Sequence, residues 1–365
     1  MSELDPREML QALEALVVAE SPSLDKARCD RCADSVAALF QRLTGSSARR
    51  HRQTDRGDHL EFRFGDGPEP ILVLCHYDTV WDAGTLARLP FRQDGDRVTG
   101  PGCYDMKAGI VQTAFALRSA RPRRPVVVLV TSDEEIGSGS SKPLIEDRAK
   151  TAAAVLVLEP ATTGGAIKTA RKGIADYTLR VRGRAAHAGT EPEKGVSAIE
   201  ELAHQILRLR DLADPTQGTT VNVGVISGGT RPNVVAAEAQ AQIDVRLASA
   251  AETNRVLRAI DGLRPVLNGA VLDVTGGLDR PPLERSEGVA RLATLAQAIA
   301  GELGFALPES SVGGGSDGNF TAALGVPTLD GLGPDGGGAH ADSEHMLVSS
   351  WIQRTDLLSR LLERI

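Results

Sequence analysis

Aromatic side chains are scarce: two Trp, three Tyr and seven Phe make up 3% of 365 residues. That leaves few platforms on which single-stranded bases could stack. A basic excess is missing too, because 41 Lys+Arg stand against 48 Asp+Glu, a formal charge of −7. Binding a phosphate backbone requires a basic footprint, so nucleic acid is not expected as the main partner. No apolar run approaches the roughly 18 residues that a membrane span needs. The opening Met1-Ser2-Glu3-Leu4-Asp5 is acidic and has no basic region ahead of an apolar stretch, so no secretory leader is expected. Four cysteines cannot form a disulfide framework in a chain of this size, which points to a reducing, cytoplasmic setting. Cys29 and Cys32 form a Cys-x-x-Cys pair of the kind used in redox or zinc chemistry, but no second pair accompanies them. They also share a helical apolar spacing with Val36, Leu39 and Phe40, which favours packing.

What remains is an ordinary globular composition, 41% hydrophobic and 24% charged. At roughly 100–200 residues per domain the length suggests two domains. Residues 7–20 and 27–43 have apolar spacing near 3.6 and predict helices, with Ser23 or Asp25 placed to cap the second. Three short apolar runs follow, Ile71–Cys75, Val126–Thr131 and Val155–Leu158, with a helical stretch Ala108–Ala120 between the first two. The runs do not alternate, as expected of strands buried on both faces of a parallel sheet. Near residue 173 the pattern changes. Asp176–Arg184, Thr219–Ile226 and Ala236–Leu247 alternate, helices are expected at about 196–210 and 252–266, and Ala270–Val274 closes the set. This β-α-β-β-α-β order is a ferredoxin-like split βαβ arrangement. After Arg280-Pro281-Pro282 the α/β pattern returns. The expected architecture is therefore α/β: a mixed, mostly parallel sheet sandwiched by helices (1–172 and 282–365), interrupted by a smaller α+β domain (173–281).

In a doubly wound sheet, ligands bind beyond the carboxyl ends of the strands. The three buried runs are followed by His76-Tyr77-Asp78, by Asp133-Glu134-Glu135 and by Glu159-Pro160. Each alone is ordinary; a His–Asp pair or an Asp-Glu-Glu turn is common at a surface. Together they deliver three sets of metal-ligand types to one rim, where clustered carboxylates would repel unless a cation neutralised them. A carboxylate beside His76 could fix its tautomer, a role that suits Asp78. Glu134 and Glu135 are adjacent and cannot share a direction, which fits one acid on a metal and the other free as a base. Asp105 stands in Gly100–Gly109, just ahead of the helical stretch, as a helix cap or a metal bridge. His340 lies in the glycine-rich Gly336–Glu344 segment and suits a final ligand, while its neighbour His345 reads as structural near the start of a helix. Two zinc ions would then share His76, Glu135, Glu159, His340 and a bridging Asp105, leaving room for water.

In this order, His-x-Asp, Gly-x-x-Asp-Met-Lys, Glu-Glu, Glu-Pro and a late Gly-x-His resemble the co-catalytic dinuclear zinc aminoacylase and carboxypeptidase superfamily. That group includes acetylornithine deacetylase and succinyl-diaminopimelate desuccinylase, and the likeness is greatest to the glutamate carboxypeptidases. The resemblance implies two zinc ions per subunit, with cobalt or manganese as alternatives. It makes His76, Asp105, Glu135, Glu159 and His340 the ligands, Asp78 the residue that orients His76, and Glu134 the general base acting on a bridging water. It implies release of a C-terminal amino acid from a peptide or N-acyl amino acid; the alternative is deacylation of N-acyl amino acids. The inserted domain resembles a dimerisation lid, implying a homodimer in which His187 reaches the partner's site. Asn233 and Arg246 match substrate-binding positions, Arg246 for the α-carboxylate, although alternation alone would allow an exposed strand arginine. Ser316, Asp317 and Gly318, in Gly313–Gly318, match a loop lining the substrate pocket. The chain departs from the glutamate-cleaving pattern around Lys168–Lys172 and at His345, where an aromatic is common.

Overall fold

The protein is described by a computed structural model covering residues 4–365; Met1, Ser2 and Glu3, within the segment from which no secretory leader is expected, lie outside the described residues. Contacts divide the chain into two units. The first takes in residues up to Ala170, then Arg285–Val312 and Ser316–Ile365; the second takes in Arg171–Glu284 and Gly313–Gly315.

The first unit is built on a six-stranded sheet in the order Arg49–His51, His59–Phe64, Val126–Thr131, Ile71–His76, Ala154–Val157, Thr328–Leu329. The last four are mutually parallel; the first two form an antiparallel margin. Every residue of Ile71–His76 and Val126–Thr131 is buried, which explains the unbroken apolar runs. Ile71, Val73 and Cys75 face a core shared with helices Pro6–Val18, Lys26–Thr44, Ala108–Ser119, Glu287–Leu303 and Val348–Arg364. Leu72 and Leu74 face the opposite layer, with Ile145 and Ala149 from Lys142–Ala149 and Phe320 from Gly318–Ala323. Burying each such large apolar side chain contributes roughly 1.5–3 kcal/mol.

Local signals mostly behave as expected. Asp25 caps Lys26–Thr44 by accepting from the Arg28 amide (3.0 Å), and Gly45 ends that helix at φ +73°. Ser23, the other candidate cap, donates instead to the Asp78 carboxylate (2.7 Å). Cys29 and Cys32 are free thiols buried in the core; the Cys29 thiol donates to the Pro22 carbonyl (3.1 Å), and burial pushes its pKa up. His345 lies just ahead of a helix, as expected: His345–Leu347 is a strand paired with Arg97–Thr99, and the helix starts at Val348. No helix among the described residues is long and apolar enough to cross a membrane.

The second unit is a four-stranded antiparallel sheet in the order Thr220–Gly228, Glu238–Leu247, Gly173–Arg182, Val271–Arg280. Helices Ala198–Arg210 and Ala250–Asp261 cover one face, where Ala175, Tyr177, Leu179 and Val181 pack against Ala239, Ala241, Ile243 and Val245. The alternation is thus the imprint of one apolar and one polar face. The closing strand runs past Val274 to Arg280 because Gly276 and Gly277 continue it. Gly276 has φ +117°, and a Cβ there would meet the Asp176 carbonyl oxygen at 2.1 Å.

Candidate metal centre

His76 is the last residue of its strand and is fully buried. Its Nδ1 lies 3.0 Å from the Asp78 carbonyl oxygen and 3.5 Å from the Asp78 carboxylate. That fixes the ring so that Nε2 points at Asp105 Oδ1 (3.4 Å) and Glu159 Oε1 (3.3 Å). Glu159 stands two residues beyond the end of the neighbouring strand Ala154–Val157. On the other side of Asp105, Oδ2 lies 3.4 Å from His340 Nε2, which is 3.1 Å from Glu135 Oε2. The five residues therefore form two triads, His76–Asp105–Glu159 and Asp105–Glu135–His340, with ligand atoms within 4.8 Å of one another in each. Asp105 belongs to both, one oxygen to each.

Local folding sets these directions. Asp105 lies in the turn Cys103–Lys107, ahead of Ala108–Ser119, and the Asp105–Met106 peptide is cis. The helix has no side-chain cap, so Asp105 does not serve as one. Gly109 lets that helix lie against the end of Ala154–Val157, since a Cβ would meet the Leu158 carbonyl oxygen at 2.4 Å. His340 has φ +63° and its side chain is half exposed. The Asp78 carboxylate is fully buried and accepts from Ser23 Oγ and from the backbone amides of Glu134 and Glu135 (both 3.3 Å). One carboxylate thus faces the first ligand and the turn bearing both glutamates.

The electrostatics are those of a site built for positive charge. Burial pushes the Asp105 carboxyl up, but the imidazoles of His340 and His76 outweigh it and hold it well below the usual carboxylate range. Asp105 and Glu135 raise His340 to about 11, against burial. Burial pushes Glu135 up to about 7, and Asp105 adds to this while His340 opposes it. His76 Nε2 and Glu135 Oε1 are buried with no hydrogen-bond partner. Buried orphan nitrogen and oxygen donors converging on a shared carboxylate fit a pair of N/O-coordinated cations.

The remaining expected residues belong to neither triad. Ser316 and Asp317 are buried in a hydrogen-bond network: Ser316 Oγ donates to Asp330, and Asp317 accepts from Thr131 (3.2 Å) and Ser138. Gly318 opens the helix Gly318–Ala323. His187, Asn233 and Arg246 belong to the second unit. There the His187 and Asn233 segments pair, with the Ala188 amide donating to the Asn233 carbonyl (3.0 Å). His187 Nδ1 accepts from the Gly189 and Thr190 amides (both 3.1 Å). The guanidinium of Arg246 forks onto Asp244, Nε to Oδ1 (3.0 Å) and Nη2 to Oδ2 (2.7 Å).

One residue beside the site had no signal in the sequence reading. Glu344 is fully buried and accepts from the Gly102, Tyr104 and Asp105 amides and from the Trp81 indole. Its polar neighbours Asp342 and Ser343 make the stretch read as a solvated turn.

Comparison with known proteins places the chain in a family. A profile of the peptidase family M20/M25/M40 matches residues 72–364. The chain is 32% identical over 317 residues to carboxypeptidase G2 of Pseudomonas sp. (strain RS-16), covering 84% of this chain and 76% of that protein. It is 29% identical over 358 residues to succinyl-diaminopimelate desuccinylase of Xanthomonas euvesicatoria, covering 90% and 93%. In fold it is similar to the aminopeptidase PepT of Bacillus cereus (TM-score 0.81, 23% identity, 99% of both chains). It is similar also to an M20 family metallo-carboxypeptidase of Sulfolobus solfataricus (TM-score 0.72, 17% identity, 99% of both chains). By profile, relatives and fold the chain belongs to peptidase family M20/M25/M40, as a metallopeptidase or amidohydrolase.

Proposed function

We propose that the protein is a dinuclear zinc carboxypeptidase of the glutamate-carboxypeptidase type. It would remove a C-terminal amino acid from an N-acyl or peptidyl substrate and act as a homodimer. The observation that carries this reading is the Asp105 carboxylate, shared oxygen by oxygen between two His/carboxylate triads. The identity to carboxypeptidase G2 supports the carboxypeptidase reading.

Two zinc ions held by His76, Asp105, Glu159 and by Asp105, Glu135, His340 would supply Lewis acidity at the scissile carbonyl and make water acidic near neutral pH. The chain's own residues do the rest. Glu134, on the turn Glu134–Ile136, takes a proton from the attacking water and passes it to the leaving nitrogen. Asp78 keeps this base in a constant relation to His76 through the two glutamate amides. With Nδ1 of His187 accepting backbone hydrogen bonds, its proton sits on Nε2 in the neutral ring. That nitrogen then serves as donor to the developing oxyanion in the partner subunit's site. Arg246 offers a planar fork to the substrate α-carboxylate, with Asp244 as the group it exchanges. Asn233 would contact the substrate amide, and Ser316, Asp317 and Gly318 would shape the pocket wall through the network they hold. The discontinuous segment 1–172 with 282–365 would be the catalytic domain and 173–281 the dimerising lid. Dimerisation is supported by Thr220–Gly228, a sheet-edge strand exposing Val225 and Ile226.

A second reading, deacylation of N-acyl amino acids, is favoured by the match to the desuccinylase, which covers nearly the whole of both chains. Initial rates of the zinc-loaded protein on acyl-glutamates, dipeptides and N-acetyl and N-succinyl amino acids decide between them. Faster turnover of acyl-glutamates is expected; a preference for acetyl or succinyl substrates of other amino acids overturns the first reading. No turnover on any of them, with zinc bound, overturns both.

A further inference from the structure

We propose that Glu344 is a positioning residue that couples the two loops carrying Asp105 and His340, and so holds open the Asp105–Glu135–His340 metal position in particular. The inference rests on the dinuclear reading above.

Glu344 sits four residues after His340, at the end of a tight turn in which its amide donates to Ala341 O (2.8 Å) and the Ala341 amide to Gly338 O (2.9 Å). Its carboxylate reaches the segment on which Asp105 is carried. Oε2 accepts from the Trp81 indole (2.7 Å) and the Gly102 amide (3.0 Å). Oε1 accepts from the Tyr104 amide (3.0 Å) and the Asp105 amide itself (3.2 Å). All four partners are neutral N–H donors. A carboxylate satisfies them at both oxygens; an amide would present an NH2 to two of them and leave those donors unpaired in a dry site. The glycine is part of the design: Gly102 has φ +71°, and a Cβ would meet Thr79 Cγ2 at 2.5 Å, so the turn that offers these amides closes only around glycine.

The asymmetry follows from the connections. Asp105 Oδ2 and His340 Nε2 both belong to the second triad, and both loops hang from Glu344. The first triad has only Asp105 in common with them, because His76 and Glu159 are placed by strand ends. Losing the carboxylate therefore loosens two of three ligands at one position and one of three at the other. Partners behind ligands of this kind change metal affinity by about 10–100-fold.

The test is Glu344→Gln in the full-length protein, with zinc content measured across a chelator series and amide exchange followed by mass spectrometry. The expected result is a folded protein in which one ion is lost at about 10–100-fold lower chelator concentration and the other near wild-type values. The Gly102–Asp105 amides exchange faster in metal-free and loaded protein alike. In NMR, of the two tryptophan indole N–H signals, that of Trp81 moves and that of Trp351, bonded to Ala108 O, stays. Trp81→Phe, which removes one donor, weakens the same ion by less. Equal weakening of both ions, or wild-type affinity for both, overturns the proposal. If Glu344→Gln does not fold, Trp81→Phe decides by the same criterion. A wild-type protein holding fewer than two ions sinks the dinuclear reading, while the amide exchange still judges the link between the loops.

Discussion

Glu134 and Glu135 show how neighbours in a chain are given opposite duties. Both amides donate to Asp78, which places the two residues side by side. Glu135 then meets His340 at 3.1 Å and is buried enough to be pushed up to about 7. Glu134 is outside both triads, though its charge is close enough to favour the charged form of His76. Glu134→Gln, which keeps size and hydrogen bonding but cannot take a proton, is expected to lower kcat by about 10²–10⁴-fold while zinc content stays at the wild-type value. Turnover within a few-fold of wild type would remove Glu134 from the role of base.

The elements that carry the site are braced from behind. The turn after Val126–Thr131 is held by Asp133, which accepts from the Ser140 and Ser141 amides, and by the His59 ring, which spans Ser132 and Ser140. His59 comes from the antiparallel strand His59–Phe64, which lies between Arg49–His51 and Val126–Thr131 and whose next acid is Glu61. Glu61 is buried and paired with Arg63 (2.6 Å), His51 (2.8 Å) and Arg148 (3.1 Å). Burial pushes its carboxyl up, but Arg148, His51 and Arg63 outweigh it, leaving the pKa below the ordinary value. A carboxyl depressed on folding stabilises above its unfolded pKa, about 4.3, and that stability is lost as pH falls through the folded value. Glu61→Gln is therefore expected to be less stable than wild type at pH 7, with the gap narrowing as pH falls below about 4. Urea unfolding at several pH values measures this; a gap that does not change with pH would mean that packing, not charge, is what the substitution removed.

At the scale of the whole molecule, the chain leaves its first unit at Ala170 and returns at Arg285 to supply His340 and Glu344. All five proposed ligands lie in that first unit, whereas His187, Asn233 and Arg246 lie in the second. If catalysis needs His187 from a second copy, assembly becomes a catalytic requirement. Replacing Val225 and Ile226 together by Lys, on the open edge strand, is expected to give a monomer in sedimentation velocity. It would keep its zinc but lose about 10²–10³-fold in kcat, the usual loss for one oxyanion donor. A monomer with full activity would separate the lid from the chemistry.

Much of this was readable from the chain alone, and for a local reason. A strand buried on both faces leaves an unbroken apolar run, and a strand with one polar face leaves an alternation, so the sheet of the first unit and the β-α-β-β-α-β insert are written in short windows of sequence. Because a parallel sheet delivers its strand ends to one rim, His76, Glu135 and Glu159 could be gathered without seeing them together. Tertiary structure decided what depends on partners from afar. Ser23 turned from helix cap to Asp78 partner, Asp105 was no cap, and the closing strand ran through two glycines. His345 joined a strand, and Glu344, in a stretch as polar as any surface turn, became buried. Whether a carboxylate is solvated or buried is set by the donors that meet it. For Glu344 those donors come from residues 81 and 102–105, about 240 or more positions away, and no local pattern carries that information.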